Sequence, residues 1–324
     1  MNPPDGDHAF RAAALHGRTH DMTYGGALSF LRRPYRRDLT GVDVAVTGVP
    51  FDGATTNRPG CRFGPRAIRA ASTELASLDA FPWGFDPFAR LAVVDYGDCH
   101  LDPHHPATIA ETITAHAGEI IAGGAKPLTF GGDHFIALPL LRAQAKAHGP
   151  IALVQFDAHC DTWEDDGTRL DHGTMFTRGV AEGIIDPAHS IQIGLRTHNP
   201  GGDAGFEILT APWIHRNGIG AAIDAMCTRV GDRPVYLSFD IDGLDPAFAP
   251  GTGTPVAGGL ASWQALELVR AMTPLNLVGM DLVEVSPAYD HAEITALAAA
   301  TVAHDWLCVL AEQQGAQPNP VGQV

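Results

Sequence analysis

Six residues in three short blocks stand out for the chemistry they can do together. They are His134 in Gly131-Gly132-Asp133-His134, Asp157, His159 and Asp161 in Asp157-Ala158-His159-Cys160-Asp161, and Asp240 and Asp242 in Asp240-Ile241-Asp242. Four carboxylates and two imidazoles suit two divalent cations. The donor set favours Mn²⁺, with Mg²⁺, Fe²⁺, Co²⁺ and Zn²⁺ as competitors. Cys160 lies between two candidate ligands at the opposite parity and is expected to point away. The charges agree, because four carboxylates balance two divalent ions. Without metal the carboxylates would repel and raise one another's pKa values. Two ions ~3.5–4 Å apart can share a water and bring its pKa toward neutrality. The implied chemistry is hydrolysis at an electrophilic carbon or phosphorus. A single block of this kind is usually structural; three blocks on three strand ends make one site.

Each block follows an apolar run that reads as a buried strand: 127–130, 151–156 and 235–239. Residues i and i+2 of a strand share a face, so Asp240 and Asp242 are expected to enter one cavity, as are Asp157, His159 and Asp161. His134 follows two glycines on a strand-to-helix turn, where the backbone bends sharply. Further strands are expected at 42–49, 91–96, 191–195 and 275–285. Helices are expected at 64–78, 106–122, 136–147, 219–230, 262–272 and 291–312. Strands and helices alternate, and the strand runs are apolar without strict alternation. That pattern predicts an α/β fold, a three-layer α/β/α single domain with a mostly parallel central sheet. Such sheets bind ligands beyond the carboxyl ends of their strands, where all three blocks fall.

The chain has 324 residues, 45% of them apolar, and a net charge of −16. One catalytic domain is expected at 41–314, an N-terminal arm at 1–40 that packs on the body or another subunit, and a flexible tail at 315–324. The acidic balance argues against nucleic acid and anionic membranes as partners. The arm carries Arg32-Arg33-Pro34-Tyr35-Arg36-Arg37, a cluster too short to reverse that conclusion. No apolar run is read as long enough for a bilayer, and residues 1–10 are too polar for a secretory signal. Five scattered cysteines without a CxxC pair fit a reducing cytoplasm. His100, His104 and His105 read as a polar loop between prolines rather than as another metal site.

At the three blocks the chain resembles the ureohydrolase (arginase/agmatinase) family. The resemblance rests on the Gly-Gly-Asp-His block, on Val154-Gln155-Phe156-Asp157-Ala158-His159-Cys160-Asp161, and on Ser238 to Pro246 followed by Pro250-Gly251-Thr252-Gly253-Thr254-Pro255. It covers roughly residues 41–314. It is nearest to the bacterial agmatinases, notably in Asp171-His172-Gly173-Thr174-Met175-Phe176. The resemblance implies an arginase-like fold, two Mn²⁺ per subunit, and a homo-oligomer, trimer or hexamer. It assigns His134, Asp157, Asp161 and Asp240 to one manganese and Asp157, His159, Asp240 and Asp242 to the other. It also implies a proton-shuttling role for His172 and a guanidinium-binding role for Glu284. A carboxylate can pair bidentately with a planar guanidinium, and a histidine titrating near neutrality can protonate a leaving amine. The products would be urea and an amine.

The substrate is then a small cationic guanidino compound, and its far end is the open question. The segment from Thr162 to Asp171 is acidic and aromatic, which departs from the polar arginase pattern. Glu164, Asp165 and Asp166 suit a far-end cation, and Trp163 can add a cation–π contact. Agmatine, cleaved to putrescine and urea, fits best. Arg169 is the counterweight: facing the pocket, it would favour 4-guanidinobutyrate or another guanidino acid. The loop from Thr55 to Pro65 is expected to line the site mouth while turning strand into helix. A binuclear metallophosphatase is a rival, but its block order is missing. A non-catalytic scaffold is a second rival, but all six ligands are intact.

Overall fold

The protein is described from a computed structural model, which covers residues 7–11, 14–18, 21–198 and 202–315. Its strands are β1 (Val44–Val49), β2 (Val93–Asp98), β3 (Lys126–Gly131), β4 (Ala152–Phe156), β5 (Ile191–Leu195), β6 (Glu207–Thr210), β7 (Pro234–Asp240) and β8 (Asn276–Val283). They form one sheet in the order β2-β1-β3-β8-β7-β4-β5-β6. Every neighbouring pair is parallel. All strand carboxyl ends therefore lie along one edge. The four that carry the candidate site, β3, β8, β7 and β4, are consecutive there.

The helices are α1 (His8–Arg11), α2 (Gly64–Ser72), α3 (Ile109–Ala122), α4 (Ala137–His148), α5 (Met175–Ala181), α6 (Ala211–Asn217), α7 (Ile219–Val230), α8 (Ser262–Arg270) and α9 (Ile294–Gln313). Alternate strand residues feed two cores. Val44, Val46, Val154, Phe156, Leu237 and Phe239 pack with α2, α7, α8 and α9. Leu153, Tyr236, Val278 and Val283 pack with α3, α4 and α5. Both faces are covered, as the unbroken apolar runs predict for a parallel sheet.

Four elements fall outside the expected runs: α1, β6, α6 and α5. β6 is a four-residue edge strand whose residues are mostly only half-buried, so it leaves no apolar run. α6 follows it at once, with the Thr210 hydroxyl accepting from the Trp213 N–H at 3.3 Å, a helix cap. α5 starts inside the motif after His172 and was read there only as motif. The helix expected at 64–78 ends at Ser72. The expectation about apolar runs also needs correction. α9 has the length and composition of a membrane span, with mean hydropathy 1.6, but 78% of that window is buried within the fold. It packs against α2 and α8 as a core helix.

Part of the 1–40 arm and nearly all of the 315–324 tail lie outside the described residues. The described arm is pinned to the body by buried charge. Arg32 and Arg33 of the basic cluster are 2% and 1% exposed, in keeping with an arm that packs on the body. Arg32 donates to the carbonyls of Met22 and Gly25, and the Arg33 guanidinium stacks 3.8 Å from the Phe88 ring centroid. Asp95 at the middle of β2 accepts the Phe30 N–H at 2.8 Å and a two-pronged contact from Arg69 at 2.8 and 3.0 Å. Such a fork is the strongest ion-pair geometry, and removing one partner strands a buried charge. Asp95→Ala is therefore expected to destabilise the fold by about 3–5 kcal/mol, read from the midpoint of denaturant unfolding.

Candidate metal centre

The Gly131–His134 turn leaves β3 under a tight steric constraint. A Cβ on Gly132 would stand 1.8 Å from the Phe51 carbonyl oxygen, so only glycine allows this approach. Asp133 then caps the next turn, accepting the Phe135 N–H at 3.2 Å. This sets His134 pointing back over the sheet edge. Asp157 directly follows β4, and Asp240 is the last residue of β7. The strand ends there and a 3-10 turn spans Ile241–Gly243. Asp240 and Asp242 thus meet the site through this turn, with Asp240 accepting the Asp242 N–H at 2.8 Å, rather than through strand parity.

All six predicted ligands converge. Around His134 Nδ1 lie Asp161 Oδ2 at 2.8 Å, Asp157 Oδ2 at 3.1 Å and Asp240 Oδ2 at 3.3 Å. Around His159 Nδ1 lie Asp242 Oδ2 at 3.2 Å and Asp157 Oδ1 at 3.4 Å. Ligand atoms of His134, Asp157 and Asp240 fall within 4.8 Å of one another, and so do those of Asp157, His159 and Asp242. Asp157 belongs to both sets, one oxygen toward each. Cys160 belongs to neither. His105 turns away to Asp102 at 2.6 Å on the surface.

The donor set fits divalent cations on a structural ground as well. His134 Nδ1 is buried and has no hydrogen-bond partner of acceptable geometry, although three carboxylates surround it. Its other nitrogen is committed. The Ser238 hydroxyl donates to Asp281 Oδ1 at 2.8 Å, so it must accept from the His134 Nε2–H, also at 2.8 Å. In the neutral ring Nδ1 is then the lone-pair nitrogen, the arrangement a metal-bound imidazole needs.

This support was legible only in part. A row of buried polar residues crosses the apolar sheet in register: Thr47 beside Thr129, Thr129 beside Asp281, Asp281 beside Ser238, Ser238 beside Gln155, and Gln155 beside Gln192. Gln155 Nε2 donates to Asp157 Oδ2 at 2.7 Å. Each appears in sequence as one polar residue inside an apolar run, a signal that the sequence reading passed over.

The electrostatics show a site short of positive charge. Burial, then the charges of Asp242 and Asp157, push the Asp240 carboxyl well above its usual range. Burial and Asp157 push Asp161 to about 6. Burial alone would lower His159, but Asp242 and Asp157 outweigh it and raise the ring to about 12. Burial also works against His134, yet its three carboxylates raise it well above the ordinary value. Burial and crowding thus favour protons on His134, His159 and Asp240, while Asp157 between the two imidazoles is held below its usual range. Two of the left-handed non-glycine positions fall at this site, Asp161 at φ 53° and Glu284 at φ 63°, a strained conformation for such residues.

Glu284 leaves β8 beside this cluster. It is 1% exposed. Its Oε1 accepts the His134 backbone N–H at 2.9 Å and the His172 Nδ1–H at 2.9 Å. Its Oε2 is buried without a partner. His172 is 13% exposed at the side chain and lines a cavity of about 690 Å³ above the cluster. His159, Asp161 and Asp240 also line it, with Trp163, Glu164, Arg169 and Asp171 among the other lining residues.

A parallel α/β sheet with paired oxygen-and-imidazole clusters at its strand ends defines the class: a hydrolase fold built for a binuclear metal centre. The Arginase family model matches residues 42–308, and the chain belongs to that family. It is 57% identical over 307 residues to an agmatinase of Chromobacterium violaceum, covering 94% of this chain and 95% of that one. The crystal structure of a hypothetical agmatinase from Burkholderia thailandensis superposes with a TM-score of 0.94 at 55% identity, covering 96% and 99% of the two chains. Proclavaminate amidino hydrolase from Streptomyces clavuligerus superposes with a TM-score of 0.84 at 41% identity, covering 90% and 100%.

Two outcomes follow for metal binding. Because Ser238 fixes the His134 tautomer, Ser238→Ala is expected to weaken divalent-metal affinity by about 10–100-fold, measured by competition with a chelating dye. Because entering cations displace protons from His134 and His159, affinity should rise with pH. Titration calorimetry in two buffers of different ionisation enthalpy reads the released protons. No proton release would contradict the protonated cluster.

Proposed function

We propose that the protein hydrolyses agmatine to putrescine and urea, as an amidinohydrolase acting on the guanidino C–N bond. The observation that carries this reading is Glu284. One carboxylate oxygen is held by His134 and His172, and the other is buried, unpartnered and next to the cluster. A guanidinium N–H pointing at Oε2 supplies the missing partner and the missing positive charge. His134, Asp157, His159, Asp161, Asp240 and Asp242 would hold two Mn²⁺. When bound, such a pair supplies a water ionised near neutral pH and charge that offsets the developing anion.

The chain's own residues do the rest. Glu284 orients the planar guanidinium. His172 gives a proton to the departing nitrogen as the C–N bond breaks, so that putrescine leaves as a neutral amine and then protonates in solvent. Burial opposes protonation of His172, but Glu284 overrides it and raises the ring to about 9. The ring therefore carries its extra proton at pH 7 and loses it as pH rises through that value. Turnover that depends on the proton falls on the same alkaline limb.

The far end of the cavity favours a cation. Arg169 faces the cavity, but its Nη2 lies 3.4 Å from Asp171 Oδ2 and donates to the Glu164 carbonyl at 3.3 Å. Asp165 is tied to Arg178 at 2.6 Å. Among the described residues no basic group stands within ion-pair distance of the Glu164 carboxylate. That leaves Glu164 for a substrate ammonium, with the half-exposed Trp163 beside it. The agmatinases that share half or more of this sequence support the same end group. The wider reading is a cytoplasmic homo-oligomer, a trimer or hexamer, with residues 41–314 as its catalytic domain and the 1–40 arm as a packing or subunit contact. Cys61, Cys99, Cys160, Cys227 and Cys308 are all free thiols, which suits a reducing compartment.

The test is urea release from agmatine, arginine, 4-guanidinobutyrate and 3-guanidinopropionate, with and without Mn²⁺. Agmatine is expected to lead by about tenfold or more in kcat/KM, ~1.4 kcal/mol of discrimination. A lead for guanidinobutyrate would transfer the far-end role to Arg169. Glu164→Gln is expected to raise the agmatine KM about two- to fivefold, as loss of an exposed ion pair implies, with kcat little changed.

A further inference from the structure

The loop after β1 reaches into the cavity, and its tip is built rather than free. Asp133 Oδ2 accepts the Ala54 N–H at 2.7 Å, and the Asp133 N–H donates to the Phe51 carbonyl at 2.7 Å. Asp52 is 5% exposed and closes the loop from the other side, accepting the Gly60 N–H at 2.9 Å and the Arg62 side chain. Gly60 has φ 134°, and a Cβ there would stand 2.8 Å from Ser286 Oγ. Asn57 Nδ2 donates to the Gly253 carbonyl at 3.3 Å. Between these anchors sits Thr56, lining the cavity. Its backbone N–H lies 3.2 Å from His172 Nε2, and its hydroxyl oxygen lies 3.1 Å from the same nitrogen.

We infer that Thr56 is the positioning residue for His172, offering Nε2 a partner in both protonation states. The opposite nitrogen is fixed, because Nδ1–H donates to the Glu284 carboxylate whichever state the ring is in. Nε2 is then the atom that changes. When it is bare, it accepts from the Thr56 backbone N–H. When it carries a proton, it donates to the Thr56 hydroxyl oxygen. The ring need not rotate between the two states, and the Thr56 hydroxyl holds the Nε2 proton at the cavity wall until it passes to the departing nitrogen. The loop anchors matter for the same reason: Asp133 ties the position of Thr56 to the turn that carries His134. This inference rests on the reading of His172 as the proton donor.

The two partners can be separated, since the backbone N–H survives every substitution at position 56. Thr56→Val keeps the shape and removes the acceptor for the protonated ring. That destabilises the protonated form, so the His172 pKa falls and the alkaline limb of kcat moves to lower pH. The charged groups that face His172 are Glu284, Asp161 and Asp133, with Asp171 and Arg169 on its own segment; none is altered by the change.

The experiment compares metal-loaded wild type, Thr56→Val, Thr56→Ala, Thr56→Ser and His172→Phe, with melting temperature and metal content measured for each. Thr56→Val is expected to lower kcat about 10–100-fold, a part of what positioned proton transfer contributes. Its KM should change by less than about threefold, because the contact acts on the reacting complex rather than on binding. Thr56→Ser should recover both turnover and the alkaline limb. Thr56→Ala repeats the test if the valine variant melts early. Equal losses in the Val and Ser variants, or an unmoved kcat and pH limb in Thr56→Val alongside an inactive His172→Phe, would overturn the role of Thr56 alone. An active His172→Phe would overturn the reading of His172 beneath it.

Discussion

Mutual repulsion among buried carboxylates is the constraint that organises this molecule. Asp157, Asp161, Asp240, Asp242 and Glu284 are each at most 5% exposed and meet in one crevice. Burying one uncompensated anion is expensive, and burying several together multiplies the penalty. Among the described residues the imidazoles of His134 and His159 face the four aspartates, and that of His172 faces Glu284. The fold therefore presents a deficit of positive charge that cations and a guanidinium can fill. Stability is drawn from elsewhere, from two apolar cores and from forks such as Arg69 on Asp95. The centre itself is held by geometry.

That geometry is a property of the parallel sheet. Four consecutive strand ends, β3, β8, β7 and β4, deliver His134, Glu284, Asp240 and Asp157 without long excursions of chain. A polar row running through the same strands just below fixes the orientation of the ligands. Ser238 is the clearest case, since its hydroxyl cannot donate to both Asp281 and His134, and so decides which imidazole nitrogen is free. The row sits in strict register because parallel neighbours align residue by residue. A one-residue slip in any strand would turn its polar member to the opposite face.

Much of this was legible beforehand for physical reasons. Ligand types, their blocks and the apolar runs before them are local patterns, and they predicted the convergence of the six candidate residues, the layer architecture and most elements within a few residues. What was not legible is non-local. β8 stands between β3 and β7 although it comes last in the chain, so no local pattern puts Glu284 beside His134; only the family resemblance supplied it. The polar residues within the strands were visible one at a time but gained meaning only when strand order aligned them. β6 was invisible because a short edge strand buries too little to print a pattern. The argument from strand parity at Asp240 and Asp242 reached the right pair by the wrong route, since a capped turn brings them together. The basic run at Arg32 and Arg33 was placed in a packing arm, but sequence does not show the carbonyls and the ring that receive it.

Glu284 joins these levels. It stands in a left-handed backbone conformation that costs on the order of 1–3 kcal/mol, and two contacts hold it there: its own N–H to the Gly132 carbonyl at 2.9 Å, and its Oε1 to the His134 N–H. The same Oε1 receives His172. One carboxylate thus receives the backbone N–H of His134 and a ring nitrogen of His172, and keeps its second oxygen buried beside the cluster. The left-handed backbone at position 284 is the conformation in which these three contacts are made together.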